Sequence, residues 1–304
     1  MPSTVAITQD LRSIENAIRE ALAELELESR VRGRLVAVKP NETWASAEDT
    51  TGVTQADTLR AVLRAVKQHD PKHVVVSGGA GAAETEDVFR HAGLMAVIEA
   101  EDVEFFDHNR PPFEDVELDY GPDREVTGPQ KSVKVNPRVL EYETLVAVNQ
   151  LKVHATATIT MALKNIAMSY PAADYYGHPR GSYRRQHHFF DDMHSFIAAM
   201  CRRFSIDLAV TVGHPAMIAH GPLGGLPVET GLCIASTDAI AADTVGAALL
   251  GFEPQAVRHL WEADKLGLGE TDIERMRFPA MSLKEAIGAF TEAAYGRRMT
   301  FEHA

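Results

Sequence analysis

Lysine, histidine and asparagine crowd one short stretch of this chain, LKVHATATITMALKNIAMSYP. Lys152 and His154 are two positions apart, so on an extended strand they project to the same side. Lys164 and Asn165 follow within a run that reads as a short apolar helix. Asparagine is a poor residue for a helix interior, and lysine rarely enters an apolar face without a partner. Two lysines, a histidine and an asparagine meeting in one hollow would neutralise a carboxylate or a phosphate. A lysine beside another cation also loses its proton more readily and can serve as a base. Otherwise Lys152 and Lys164 are surface charges and His154 is a satisfied strand-end residue.

Other segments offer matching chemistry. Lys39 and Asn41 close the apolar run RLVAVKPN. Histidines gather after residue 154, most densely in HHFFDDMH, where His187, His188, Asp191 and His194 have helical spacing. One of these histidines can move protons. His187, Asp191 and His194 could instead hold a divalent metal, although the spacing is not HExxH or another strong zinc signature. The loop of residues 169–188 is aromatic and basic, with Tyr176 and Arg184, and reads as a substrate lid or an oligomer contact. Gly221 and Pro222, in HGPLGG, suggest a close backbone approach. Asp238 opens an apolar helical run and is either a ligand contact or an N-cap. Asp243, inside that run, needs a partner such as Lys or Arg. The turn SGGAGAAET from Ser77 could offer backbone N–H groups to an anion, or simply cap the next helix through Glu84 or Thr85.

The elements that must position these residues alternate strand and helix. Leu11, Ile14, Ile18, Leu22 and Leu25 predict an amphipathic helix over 9–28, within an N-terminal helical segment of residues 1–30. Leu59, Val62, Leu63 and Val66 predict another. Runs such as HVVVSGG lack alternation, as strands covered on both faces do. The expected fold is a single α/β domain over 1–304, with a mainly parallel, mixed sheet and helices on both faces. The acidic stretch 101–131, which holds Pro111 and Pro112, reads as an irregular or antiparallel insertion. Ligands of such sheets bind at the carboxyl ends of strands. The residues expected there include Lys39, Asn41, Lys152, His154 and Asp238.

Composition removes several alternatives. The 304 residues carry a formal net charge of −13, a poor basis for binding nucleic acid or an anionic membrane. Two cysteines, Cys201 and Cys233, cannot form an all-Cys iron–sulfur cluster or a disulfide scaffold. The dinucleotide fingerprint is missing, so no NAD is expected. There is no GxSxG elbow for acyl transfer. No signal peptide or membrane span is read, which leaves a cytoplasmic location as the expectation.

VKPN, LKVH followed by ITMALKN, a His-bearing helix, GPLGG and STDAIAADTVGAALLG occur in this order. Together they resemble the DUF362 family of bacterial and archaeal proteins across roughly residues 33–270. Many members carry added four-iron ferredoxin motifs, and this chain has no CxxCxxC run. Lys39, Asn41, Lys152, His154, Lys164, Asn165, Gly221, Pro222, Asp238 and Asp243 match recurrent family positions. The expectation is an enzyme of lyase or isomerase type acting on a small anionic metabolite, with a homodimer as one assembly. Lys152, His154, Lys164 and one of His187, His188 or His194 would do the chemistry. Lys39, Asn41, Asn165, Tyr176, Arg184, Gly221, Pro222 and Asp238 would bind substrate. Metal-dependent hydrolysis or lyase chemistry, and a non-catalytic metabolite-binding role, are the alternatives.

Overall fold

A computed structural model describes residues 2–122, 131–173 and 192–299. Its elements run β1 (Val5–Gln9), α1 (Ile14–Ala23), α2 (Glu28–Val31), β2 (Leu35–Pro40), α3 (Ala56–Lys67), β3 (His73–Gly78), α4 (Thr85–His91), α5 (Leu94–Ala100) and β4 (Glu104–Asp107). Then come β5 (Glu114–Glu117), β6 (Ser132–Val135), β7 (Thr144–His154), β8 (Thr158–Ile159), α6 (Ala162–Ser169) and α7 (Met193–Arg203). β9 (Leu208–Ile218), β10 (Leu226–Val228), β11 (Leu232–Ser236), α8 (Ala239–Leu249), α9 (Arg258–Lys265) and α10 (Leu283–Tyr295) follow among the described residues.

The central sheet has the order β1-β11-β9-β7-β2-β3-β4. The strands β9, β7, β2, β3 and β4 are mutually parallel, and β11 and β1 join by antiparallel pairing. The mixed, mainly parallel sheet of the sequence reading is therefore present. Val36, Val38, Val74, Val76, Val146 and Val148 face one core, with the apolar stripes of α1, α3, α4 and α5. Ala37, Val75, Leu145 and Ala147 face the other, with α6, α7, α8 and α10. Burial on both faces explains why these strands read as unbroken apolar runs. From β2 the chain steps outward to β3 and β4, then returns to place β7 on β2's other flank. That reversal makes a crevice at the carboxyl ends of β2 and β7, where open α/β sheets bind ligands.

Three expectations shift. The N-terminal segment opens with strand β1, and α1 starts only at Ile14, capped by the Ser13 side chain on the Asn16 amide. Leu11 stays 68% exposed. The acidic stretch is partly regular: β4 is the edge strand beside β3, and β5 pairs antiparallel with β6 in a separate two-stranded sheet. Residues Ser169–Ala173, read as the start of a polar lid, are buried, and Ser169 belongs to α6. The rest of that segment, 174–188, lies outside the described residues.

Candidate active site at the sheet's switch point

A small recess of about 30 Å³ lies over the carboxyl ends of β2 and β3. Lys39, Asn41, Glu42, Gly79, Thr160, Lys164, Asn165, Met168, Ser169 and Pro222 help to line it. β2 delivers Lys39 and, just past its end, Asn41 and Glu42. α6 delivers Lys164, Asn165 and Ser169.

α6 has eight residues, all buried. A helix this short is marginal by itself and depends on tertiary contacts. Its N-terminus is held by Asp243 of α8, whose two carboxylate oxygens accept from the Ala162 amide (3.0 Å) and the Leu163 amide (2.9 Å). A carboxylate there also complements the helix dipole. Gly246, one turn further along α8, permits the approach, because a Cβ there would sit 2.4 Å from the Met161 sulfur. The partners of Asp243 shown here are thus backbone amides, where the sequence suggested a cation. Burial still pushes its carboxyl up to about 7, against the lowering effect of those two bonds.

Lys164 sits in the first turn that Asp243 fixes, rather than mid-helix as expected. Its side chain lines the recess although the residue is only 6% exposed. Burial pushes its ammonium down to about 7. Lys152 is also held at about 7, by burial first and by the nearby Lys164 charge second, with Glu42 opposing. The Lys152 ammonium donates to Asn41 Oδ1 (2.6 Å) and to the Gly52 carbonyl (2.7 Å). It meets the recess through Asn41, and fixing Asn41 Oδ1 leaves the Nδ2 end of that amide as the donor for a ligand.

Lys39 does not have the role expected of it. Its ammonium is fully buried, 2.7 Å from Glu42 Oε1, 3.1 Å from Asn165 Oδ1, and bonded to the Pro40 carbonyl. Burial lowers its pKa and Glu42 opposes that shift. Asn165 is equally committed, with Nδ2 donating to Asn149 Oδ1 (2.8 Å) and to the Lys39 carbonyl (3.3 Å). Both residues build the floor of the recess. Glu42, which the sequence reading passed over, is its hub. Glu42 Oε1 also accepts the Gly79 amide at 2.9 Å, so the anion met by the glycine turn is this chain's own carboxylate.

The remaining expectations divide. His154 Nδ1 accepts the Thr156 and Ala157 amides (3.0 and 3.1 Å), which places its neutral-ring proton on Nε2. Pro222 lines the recess, and Gly221 lies so close to β7 that a Cβ would meet the Val153 carbonyl oxygen at 2.1 Å. Asp238 is a correction. β11 runs antiparallel to β9, so the end of β11 lies at the opposite edge of the sheet from the recess. There Asp238 caps α8 through the Ala241 amide, accepts the Glu270 amide and takes the Ser3 hydroxyl. His194 stacks on a residue not foreseen, His259, with Nδ1 atoms 3.3 Å apart. Burial lowers both rings, His259 to about 3. Tyr176, Arg184, His187, His188 and Asp191 lie outside the described residues. Among the described residues no three His, Cys, Asp or Glu side chains gather to hold a metal. No described helix is long and apolar enough to cross a membrane.

Fold and recess together define an α/β protein with a cation- and amide-lined crevice at the reversal of a mixed sheet. The chain belongs to the family described as "Domain of unknown function (DUF362)", whose profile it matches over residues 36–248. It is similar to a thylakoid-associated protein of Synechocystis sp., with 23% identity over 257 residues, covering 84% of this chain and 74% of that protein. Its fold is similar to the lactate racemase apoprotein from Thermoanaerobacterium thermosaccharolyticum, with a TM-score of 0.51 and 14% identity. That match covers 79% of this chain and 56% of the racemase, so this chain spans little more than half of its length. A Thermotoga maritima protein aligns with a TM-score of 0.45 and 14% identity, over 80% of this chain and 59% of its own.

Proposed function

We propose that this protein is an enzyme that removes and returns a proton beside the carboxylate of a small organic acid, an isomerase or lyase chemistry. One observation carries the reading. Lys164 is buried, fixed in a capped helical turn, and still lines a recess at the carboxyl ends of β2 and β3, the end of the sheet at which such folds bind ligands. A base works best when its pKa lies near the working pH, and burial brings Lys164 there. Neutral Lys164 would take the proton. The Nδ2 end of Asn41 and the Thr160 hydroxyl would hold the carboxylate or the enolate-like charge as it develops. Lys164 would also return the proton, because His154 is not among the described residues that line the recess. Lys39 and Glu42 cancel each other's charge, so the recess suits a singly charged acid. The racemase apoprotein with the similar fold supports the isomerase class and no particular substrate. The reading puts the enzyme in the cytoplasm, with a homodimer as one assembly.

The test is exchange in deuterated water. The protein is incubated with a panel of small 2-hydroxy carboxylic acids, and deuterium at the carbon beside the carboxylate is followed by NMR. Exchange is expected with at least one acid and should fall by at least 100-fold in Lys164→Met with the fold intact. Binding of an acid without exchange would make the protein a metabolite binder and overturn the enzyme reading. So would undiminished exchange in Lys164→Met.

A further inference from the structure

The recess carboxylate Glu42 is joined to a half-buried tyrosine by an unbroken hydrogen-bonded chain. Tyr142 Oη lies 3.0 Å from Ser77 Oγ, and Ser77 Oγ lies 2.9 Å from His108 Nδ1. His108 Nε2 lies 3.0 Å from Ser169 Oγ and 3.1 Å from the Ser169 carbonyl oxygen. Ser169 Oγ donates to the Gly79 carbonyl at 3.0 Å or to Glu42 Oε1 at 3.3 Å.

The direction of every bond follows from one atom. A carbonyl oxygen only accepts, so His108 Nε2 carries the proton. Burial and the Lys39 charge hold His108 well below its ordinary value, so the ring is neutral and Nδ1 accepts. Ser77 therefore donates to Nδ1, which leaves its oxygen to accept from Tyr142. All donors point from Tyr142 toward Glu42. The fold makes room for this ring: a Cβ at Gly79 would sit 2.0 Å from His108 Nε2, and Tyr170 closes on the ring edge-on at 5.2 Å.

We propose that Tyr142, Ser77, His108 and Ser169 form a proton relay between solvent and the Glu42 wall of the recess. In one passage, a hydronium ion of the solvent gives a proton to Tyr142, leaving water, as the tyrosine gives its own to Ser77. Ser77 protonates His108 Nδ1, Nε2–H passes to Ser169, and the Ser169 proton goes to Glu42 Oε1. One proton enters and one arrives. The ring is left as the Nδ1–H tautomer, and a passage in reverse resets it. A reaction that removes and then returns a proton needs such two-way traffic. The purpose given to the relay rests on the reading of the recess as a proton-transfer site.

Its test needs no substrate. In protein labelled with 15N-histidine, His108 is expected as the Nε2–H tautomer, assigned by its loss in His108→Gln. The exchange of Nε2–H with water is then compared between wild type, Tyr142→Phe and Ser77→Ala, alongside the amides of β3 as a gauge of general opening. Each variant should slow the exchange at least tenfold while the β3 amides are unchanged. An Nδ1–H tautomer, or exchange within twofold of wild type in both variants, would overturn the relay. Failure of the relay leaves the Lys164 chemistry standing. Absence of turnover with slowed exchange would refute the proposed function and keep the relay.

Discussion

Glu42→Gln tests whether Lys39 belongs to the scaffold or to the substrate. Both side chains of the pair are buried, at 0% and 1% exposure, so water cannot compensate for a lost charge. Gln keeps a carbonyl oxygen for the Gly79 amide and removes the charge. Lys39 can then stay charged without a counter-ion, which costs about 3–5 kcal/mol when one partner of a buried pair is removed. It can also give up its proton, which from an ordinary value near 10.4 costs about 4.6 kcal/mol at pH 7. The two routes agree on a loss of about 3–5 kcal/mol. At an unfolding entropy of about 2.1 cal/mol/K per residue, a 304-residue chain should lose about 5–8 °C in Tm. Calorimetry reads this directly. Because a buried pair can be replaced by apolar groups at little net cost, the double variant Lys39→Met/Glu42→Gln should recover at least half of the loss. A shift below about 2 °C for Glu42→Gln, or a double variant no better than the single one, would refute the buried-pair account.

Two further outcomes follow from other groups. His214 Nδ1 lies 2.7 Å from Glu229 and Nε2 lies 2.9 Å from Asp57, and these bonds raise its pKa to about 10. A folded-state value above the unfolded one stabilises fully below about pH 6.5 and loses that contribution as pH rises through about 10. Urea unfolding should therefore show His214→Ala well below wild type at pH 6 and close to it at pH 10.5. An equal gap at both values would contradict the assignment. Asp243→Asn keeps one acceptor for the α6 amides and turns an NH2 group toward the other, so it should cost about 1–3 kcal/mol at pH 8. Amide hydrogen exchange should localise the loss to α6, and unchanged protection there would count against the capping role.

Much of this site was legible because burial leaves marks in a sequence. The valine runs gave the covered strands. Asn165 and Lys164 stood out as polar residues in an apolar helical stretch, and both are buried. What escaped depended on direction and distance. Hydrophobic patterning does not tell a parallel strand from an antiparallel one, so Asp238 was assigned to the wrong edge of the sheet. Glu42 follows Pro40 and Asn41, where no apolar pattern marks a buried position, although its spacing of three from Lys39 is a usable hint. His108 and His259 are isolated in sequence, and their partners lie 61 and 65 residues away in the chain. The partners of Asp243 are main-chain amides, which no residue type announces.

The central claim is that the recess holds a lysine poised near neutrality. Its most direct measurement is an NMR titration of protein carrying 13C-labelled lysine side chains, with the Lys164 signal assigned by its loss in Lys164→Met. The account predicts a midpoint at about 7, moving upward when a small carboxylate fills the recess. A midpoint near the ordinary lysine value of about 10.4 would contradict it.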